Sequence, residues 1–196
     1  MWALRAKITR LFMFSEGQVQ DSGKEPLEFV KIPGKKWSLV QTRPRHEKFS
    51  AGNLLRSGII TYIPLLTKIE IHNRSKRKLL LPMFPGYFFA CPDPEEETLI
   101  RRDKCVWNLK VLNGAEEELL LKDLKIVRQA ELLSQERKLF INPGIKEGGT
   151  VVLKKGPFKN QNAVVVKRED ETTLIVNLDF LGRNILVRCD ADEVEF

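Results

Sequence analysis

Histidine and cysteine are scarce in this chain, with two His and three Cys among 196 residues. Cys91, Cys105 and Cys189 are widely spaced and odd in number, so they form no CxxC pair and no disulfide framework. His46 and His72 do not complete a zinc set with them. The sequence also lacks an HExxH, a phosphate loop and any placeable Ser-His-Asp pattern, so neither an enzyme nor a bound cofactor is expected. No apolar run approaches the roughly 20 residues of a membrane helix. The stretch Leu11-Phe12-Met13-Phe14, behind Arg5, Lys7 and Arg10, is too short for a secretory signal. These absences fit a soluble protein of a reducing cytoplasm, long enough for one large domain or two small ones, and a monomer is expected.

Acidic residues are missing from one region in particular. Residues 33–92 carry 11 Lys/Arg against 2 Asp/Glu, a local net of +9 in a chain whose total is +7. Residues 1–32, 93–138 and 139–196 are each close to balance, at 5 against 4, 9 against 11 and 8 against 9. Charge confined to one segment points to nucleic acid or another polyanion facing the first domain; a solvated basic face is the competing reading.

Residues 1–32, with Gly17, Asp21, Ser22, Gly23 and Pro26 and little periodicity, read as a flexible leader. Order is expected from Pro33-Gly34. Residues 37–41 read as a strand; Thr42 and Pro44 signal a helix start and Gly58 its end, with Ala51, Leu54 and Leu55 as the apolar stripe. Residues 59–66 read as a second strand. Residues 67–81 read as a hairpin with Arg74-Ser75-Lys76-Arg77-Lys78 at its exposed tip. A strand is expected at 87–90, a helix at 95–102, a strand at 107–112 and a helix at 122–138. The runs Glu95-Glu96-Glu97 and Glu116-Glu117-Glu118 read as solvated helix starts. The character changes at residues 140–144. Short strands follow at 151–153, 163–166, 174–178, 185–187 and 193–196, the spacing of a small barrel. The expected fold is therefore α+β, with a mixed domain over 33–138 and a barrel over 139–196.

The densest ring motif is Pro82-Met83-Phe84-Pro85-Gly86-Tyr87-Phe88-Phe89, just after the basic run. Pro85 fixes one backbone angle and Gly86 permits a tight turn. On a strand Tyr87 and Phe89 share one face and Phe88 takes the other, so Phe88 is expected in the core. From the residues alone, a docking role and an ordinary core role for these rings weigh equally.

The order of elements, together with residues 37–42, Glu47, residues 82–89, Gly149-Thr150-Val151-Val152, Gly156-Pro157-Phe158 and Phe180-Leu181-Gly182-Arg183, resembles the NusG-type transcription elongation factors over roughly residues 35–196. The first domain is similar to a NusG N-terminal domain, an antiparallel sheet flanked by helices. The second is similar to a KOW-containing, SH3-like barrel. The string Thr42-Arg43-Pro44-Arg45-His46-Glu47-Lys48 is most like the specialised paralogues, the RfaH-like and polysaccharide-operon antiterminators. The resemblance implies regulation of elongation and antitermination. Phe84, Tyr87 and Phe89, with Tyr62, would bind the clamp helices of the polymerase β′ subunit and suppress pausing. Arg74, Lys76, Arg77 and Lys78, with Arg43, Arg45 and His46, would contact upstream or non-template DNA. Phe158, Phe180 and Leu181 would receive a second factor, a small-subunit ribosomal protein or Rho. The alternative is a KOW-type ribosome- or RNA-binding protein without polymerase contact.

Overall fold

The structure is a computed structural model that describes residues 29–72, 75–134, 139–142, 150–152, 162–168, 171–178 and 180–189. In chain order its elements are β1 (Ser38–Thr42), α1 (Glu47–Arg56), β2 (Ile60–Tyr62), β3 (Leu65–His72), β4 (Ser75–Pro82), β5 (Tyr87–Cys91), α2 (Pro94–Arg102), β6 (Val106–Val111) and α3 (Gly114–Leu133). The strands β7 (Leu139–Asn142), β8 (Thr150–Val152), β9 (Asn162–Arg168), β10 (Glu171–Leu178) and β11 (Arg183–Cys189) follow. The chain divides into two compact units. One runs up to Pro64 and includes Pro82–Glu118; the other joins Leu65–Leu81 to Leu119 and beyond. The boundaries expected from the sequence fall at 32/33 and 138/139. α3 is continuous across the 118/119 division.

The first unit is built on an antiparallel sheet in the order β2-β5-β1-β6. Side chains alternate between faces along a strand, and directly paired residues share a face. Val40 pairs with Phe88 and with Leu109, and all three are buried. Ser38, Thr61 and Ala90 lie on the same buried face. α1 packs against β2 and β5, and α2 against β6. Ala51 and Leu54 of α1 and Ile100 of α2 are buried there, and the Thr61 hydroxyl donates to the Ala51 carbonyl at 3.3 Å.

Helix boundaries follow local chemistry. α1 starts at Glu47, later than Thr42 and Pro44 suggest, because Thr42 still belongs to β1 and the chain turns through Arg45 at φ 68°. It stops at Gly58, whose φ of 84° only glycine adopts without strain. α2 begins one residue ahead of the expected Glu95, with Pro94 in its first turn. The Asp93 side chain accepts from Glu95 N and Glu96 N, and Glu96 reaches back to Asp93 N, a reciprocal capping box. Lys35 donates to both Asp93 and Glu96. α3 begins eight residues before the expected 122 because Asn113 caps it. The Asn113 side chain accepts from Ala115 N and Glu116 N, and the Glu116 carboxylate accepts from Asn113 N. The helix also ends earlier, at Leu133.

In the second unit β3 and β4 form the expected hairpin. Ser75 to Lys78 lie within β4 rather than at the tip, so the positive charge runs along a strand. The remaining strands form an antiparallel sheet in the order β7-β11-β10-β9-β8. The expected strands at 163–166, 174–178 and 185–187 fall on β9, β10 and β11, and 151–153 overlaps β8. Leu139 to Asn142 were not expected to form a strand. As β7 they pair with β11, Phe140 opposite Leu186. The fifth strand expected at 193–196, like the leader over 1–28, lies outside the described residues.

Candidate docking face and nucleic-acid loop

The second face of the first sheet is graded. Leu39 pairs with Phe89 and Gln41 with Tyr87, while Tyr62 pairs with Phe89 from the other side. Across the next strand Leu39 pairs with Lys110 and Gln41 with Asn108. Trp37, Leu39, Gln41, Tyr62, Tyr87, Phe89, Asn108 and Lys110 therefore share one face. At its inner end Trp37, Tyr62 and Phe89 are buried; in the middle Leu39, Gln41 and Tyr87 are half-buried; on β6 Asn108 and Lys110 are exposed. The Asn108 side-chain amide donates to Gln41 Oε1 at 2.8 Å, and Lys110 pairs with Glu116 at 2.7 Å.

Of the four ring residues expected to dock, Phe84, Phe89 and Tyr62 are buried and Tyr87 is partly accessible. The expected split, with Phe88 inside and Phe89 available, is not what the strand shows: both are fully buried. β5 is a central strand, and each of its faces is covered at that position. Phe84 and Phe89 meet edge to face at a centroid distance of 6.2 Å, and Phe89 and Tyr62 stack at 6.3 Å. Phe29 continues the series, 4.8 Å from Tyr62 and 5.7 Å from Trp37, and is itself 1% exposed. Its part was missed: a single phenylalanine in a segment without periodicity carries no local signal.

The turn that starts β5 has the predicted chemistry. Tyr87 N donates to Phe84 O at 3.1 Å, Pro85 sits second, and Gly86 has φ 84°, the pattern of a type II turn. Two long-range bonds hold Gly86. Its carbonyl accepts from Thr42 N at 2.9 Å, and its N–H donates to Glu47 Oε1 at 2.6 Å. Glu47 is 3% exposed, a buried carboxylate in the first turn of α1. The Pro-Gly turn is thus tied to the start of the same helix that follows Arg43, Pro44, Arg45 and His46.

That preceding loop is exposed at all four residues. Arg43 N donates to Cys105 O and His46 N to Arg43 O. His46 Nδ1 lies 3.1 Å from Pro44 O, so the ring is oriented by the loop's own backbone. In the second unit Arg77 and Lys78 are exposed on β4, and Lys76 falls on the same strand. Arg74 and Phe158 lie outside the described residues. Phe180 and Leu181 are half-buried, and their backbone N–H groups donate to the buried Asp123 carboxylate at 2.9 and 3.1 Å. A side-chain carboxylate from α3 thus fixes the turn expected to receive a partner.

Other ionisable groups serve structure. The Glu117 carboxylate, read from sequence as solvated, is buried and accepts from Trp37 N at 2.9 Å. Burial, with the Glu117 charge adding to it, pushes the Cys91 thiol up to about 12, so it stays protonated and inert. Burial lowers the Lys48 ammonium. Among the described residues no group of three His, Cys, Asp or Glu could hold a metal, and no helix is long and apolar enough to cross a membrane.

Residues 35–128 match the family described as NusG, transcription termination factor nusG. That match covers the stretch that forms the antiparallel sheet with its helices. No curated protein matches the chain. Two crystal structures of an MjSpt4:Spt5 complex, in conformations A and B, align with 19% and 20% identity. They cover 81% of this chain and 96% and 95% of theirs, at TM-scores of 0.26 and 0.25.

Proposed function

We propose, from the NusG-family domain at residues 35–128, that this chain is a non-enzymatic transcription elongation factor that docks on RNA polymerase. The observation that carries the reading is that match, on a sheet whose second face runs from buried rings through half-buried Leu39, Gln41 and Tyr87 to polar Asn108 and Lys110. A partly accessible strip with Leu39 and Tyr87 beside a polar edge suits a helix pair such as the β′ clamp helices. Tyr87 is the principal contact. Phe84, Phe89 and Tyr62 form the floor that fixes its position.

Arg43, Arg45 and His46 are the proposed DNA contacts of the first unit, and Arg77 and Lys78, with Lys76 and Arg74, those of the second. Exposed cations that neutralise phosphates give affinity that falls steeply with salt. The five-stranded sheet is assigned as the KOW-type, SH3-like module, with the Phe180-Leu181 turn receiving the second factor. The basic string at residues 42–48 favours a specialised, operon-directed antiterminator of the RfaH-like kind over a general factor. In an elongation assay with purified polymerase, the wild-type chain should shorten pauses and Tyr87→Ala should not. Equal effects of the two proteins, or no effect of either, would refute the reading.

A further inference from the structure

The inner end of the docking face is occupied by the chain's own Phe29. Four observations single it out. Phe29 is among the most buried rings of the first unit, at 1% exposure. It touches Trp37 and Tyr62, both on the face that carries Tyr87 and Phe89. It belongs to no strand or helix, and it lies ahead of residue 35, where the family domain begins. The segment around it is held lightly. Val30 is 42% exposed, and its carbonyl accepts from Trp37 Nε1 at 3.0 Å. Lys31 pairs with Glu118 at 2.6 Å, with side chains 48% and 64% exposed. Exposed ion pairs of this kind hold weakly.

We infer that residues 29–31 are a detachable strap, with Phe29 an intramolecular occupant of a seat that a large apolar side chain of the docking helix pair takes when it binds. The inference rests on the polymerase-docking reading and deepens it. The seat is apolar and ring-lined, so its ligand is a bulky aliphatic or aromatic side chain rather than a polar one. Docking then requires the strap to leave, and the free chain holds back its own affinity by the fraction of time the strap is closed.

The test uses the full-length chain and a helical-hairpin fragment of the β′ clamp as probe. Phe29→Ala, confirmed as folded by its melting curve, should bind the probe roughly three- to tenfold more tightly, as expected if the strap is closed about 70–90% of the time. Unchanged or weaker binding by the folded variant overturns the inference. A second measurement needs no variant that disturbs the ring cluster. The Trp37 indole proton, bonded to Val30 in the free protein, is followed by NMR, its signal assigned with Trp37→Phe. Loss of its protection on saturation with probe supports the strap; retained protection overturns it, and this result decides if Phe29→Ala does not fold. Tyr87→Ala separates the two levels. If it binds the probe as well as wild type, the docking reading fails and the strap falls with it. If it binds weakly while Phe29→Ala gains nothing, only the strap is wrong.

Discussion

Replacing Glu47 tests how the docking turn is held. Its carboxylate is 3% exposed and receives the Gly86 N–H at 2.6 Å, 39 residues away in sequence. Glu47→Ala leaves that part-buried N–H without its acceptor. An orphaned donor of this kind costs about 1–3 kcal/mol, with charged acceptors toward the upper end. The space vacated by the side chain adds to that cost rather than relieving it. Glu47→Gln keeps an acceptor oxygen but removes the charge, so it should retain about half of the stabilisation, since charge-assisted bonds are roughly twice as strong as neutral ones. The assay is thermal unfolding followed by tryptophan fluorescence, with Trp2→Phe and Trp107→Phe so that Trp37 in the first unit is the reporting ring. For a chain of this length about 2 kcal/mol corresponds to a melting point lower by roughly 4–8 °C. The order wild type, Gln, Ala is expected in stability. A loss under about 0.3 kcal/mol for Ala would show that the bond does not hold the turn, because that is within the scatter of neutral surface changes.

Gly86→Ala should cost about 1–2 kcal/mol through its φ of 84° alone. An added Cβ would meet only Thr42 O at 3.8 Å, so a larger loss in an equilibrium urea melt would contradict a purely conformational cost. Asp93→Ala should remove about 1 kcal/mol by taking away the α2 cap. The Glu96 backbone bond, ahead of the Lys35 contact, holds the Asp93 carboxyl below its ordinary 3.8. That stabilisation is present above the ordinary value and is lost as pH falls through the depressed one. The difference between wild type and Asp93→Ala should therefore vanish well below about pH 4, and a constant difference would refute the assignment. Cys91, pushed up to about 12, should resist alkylation in the folded protein at about pH 8 while half-buried Cys105 reacts; comparable rates by peptide mass mapping would contradict its burial.

Local chemistry made parts of this fold readable. Pro85-Gly86 announced a tight turn, Gly58 a helix stop, and the acids at 95–97 a helix start whose cap, Asp93, lay just ahead. Alternation placed the strands of the first sheet to within a residue or two, except where Ile63 and Pro64 break the run read as one strand over 59–66. What stayed hidden depends on distant partners. Glu117 looked solvated because its neighbours are acidic, yet Trp37 N, 80 residues away, makes it a buried acceptor. Phe29 joined the ring cluster through Tyr62, 33 residues on, and no local pattern encodes that. β7 had no turn signal ahead of it and is stabilised by pairing with β11, more than 40 residues later. Of the candidate site, the rings and cations were legible as residue types. Their exposure was not, since period two assigns faces but does not say which face a further segment covers.

Docking through Tyr87 is measured by titrating the full chain with a β′ clamp-helix fragment and comparing wild type with Tyr87→Ala. Truncating a central ring anchor costs about 2 kcal/mol or more, which is roughly a thirtyfold loss of affinity. A loss of that order is expected, with Tyr87→Ala melting close to wild type because Tyr87 is only half-buried. Equal affinities, or no measurable binding by either protein, would contradict it.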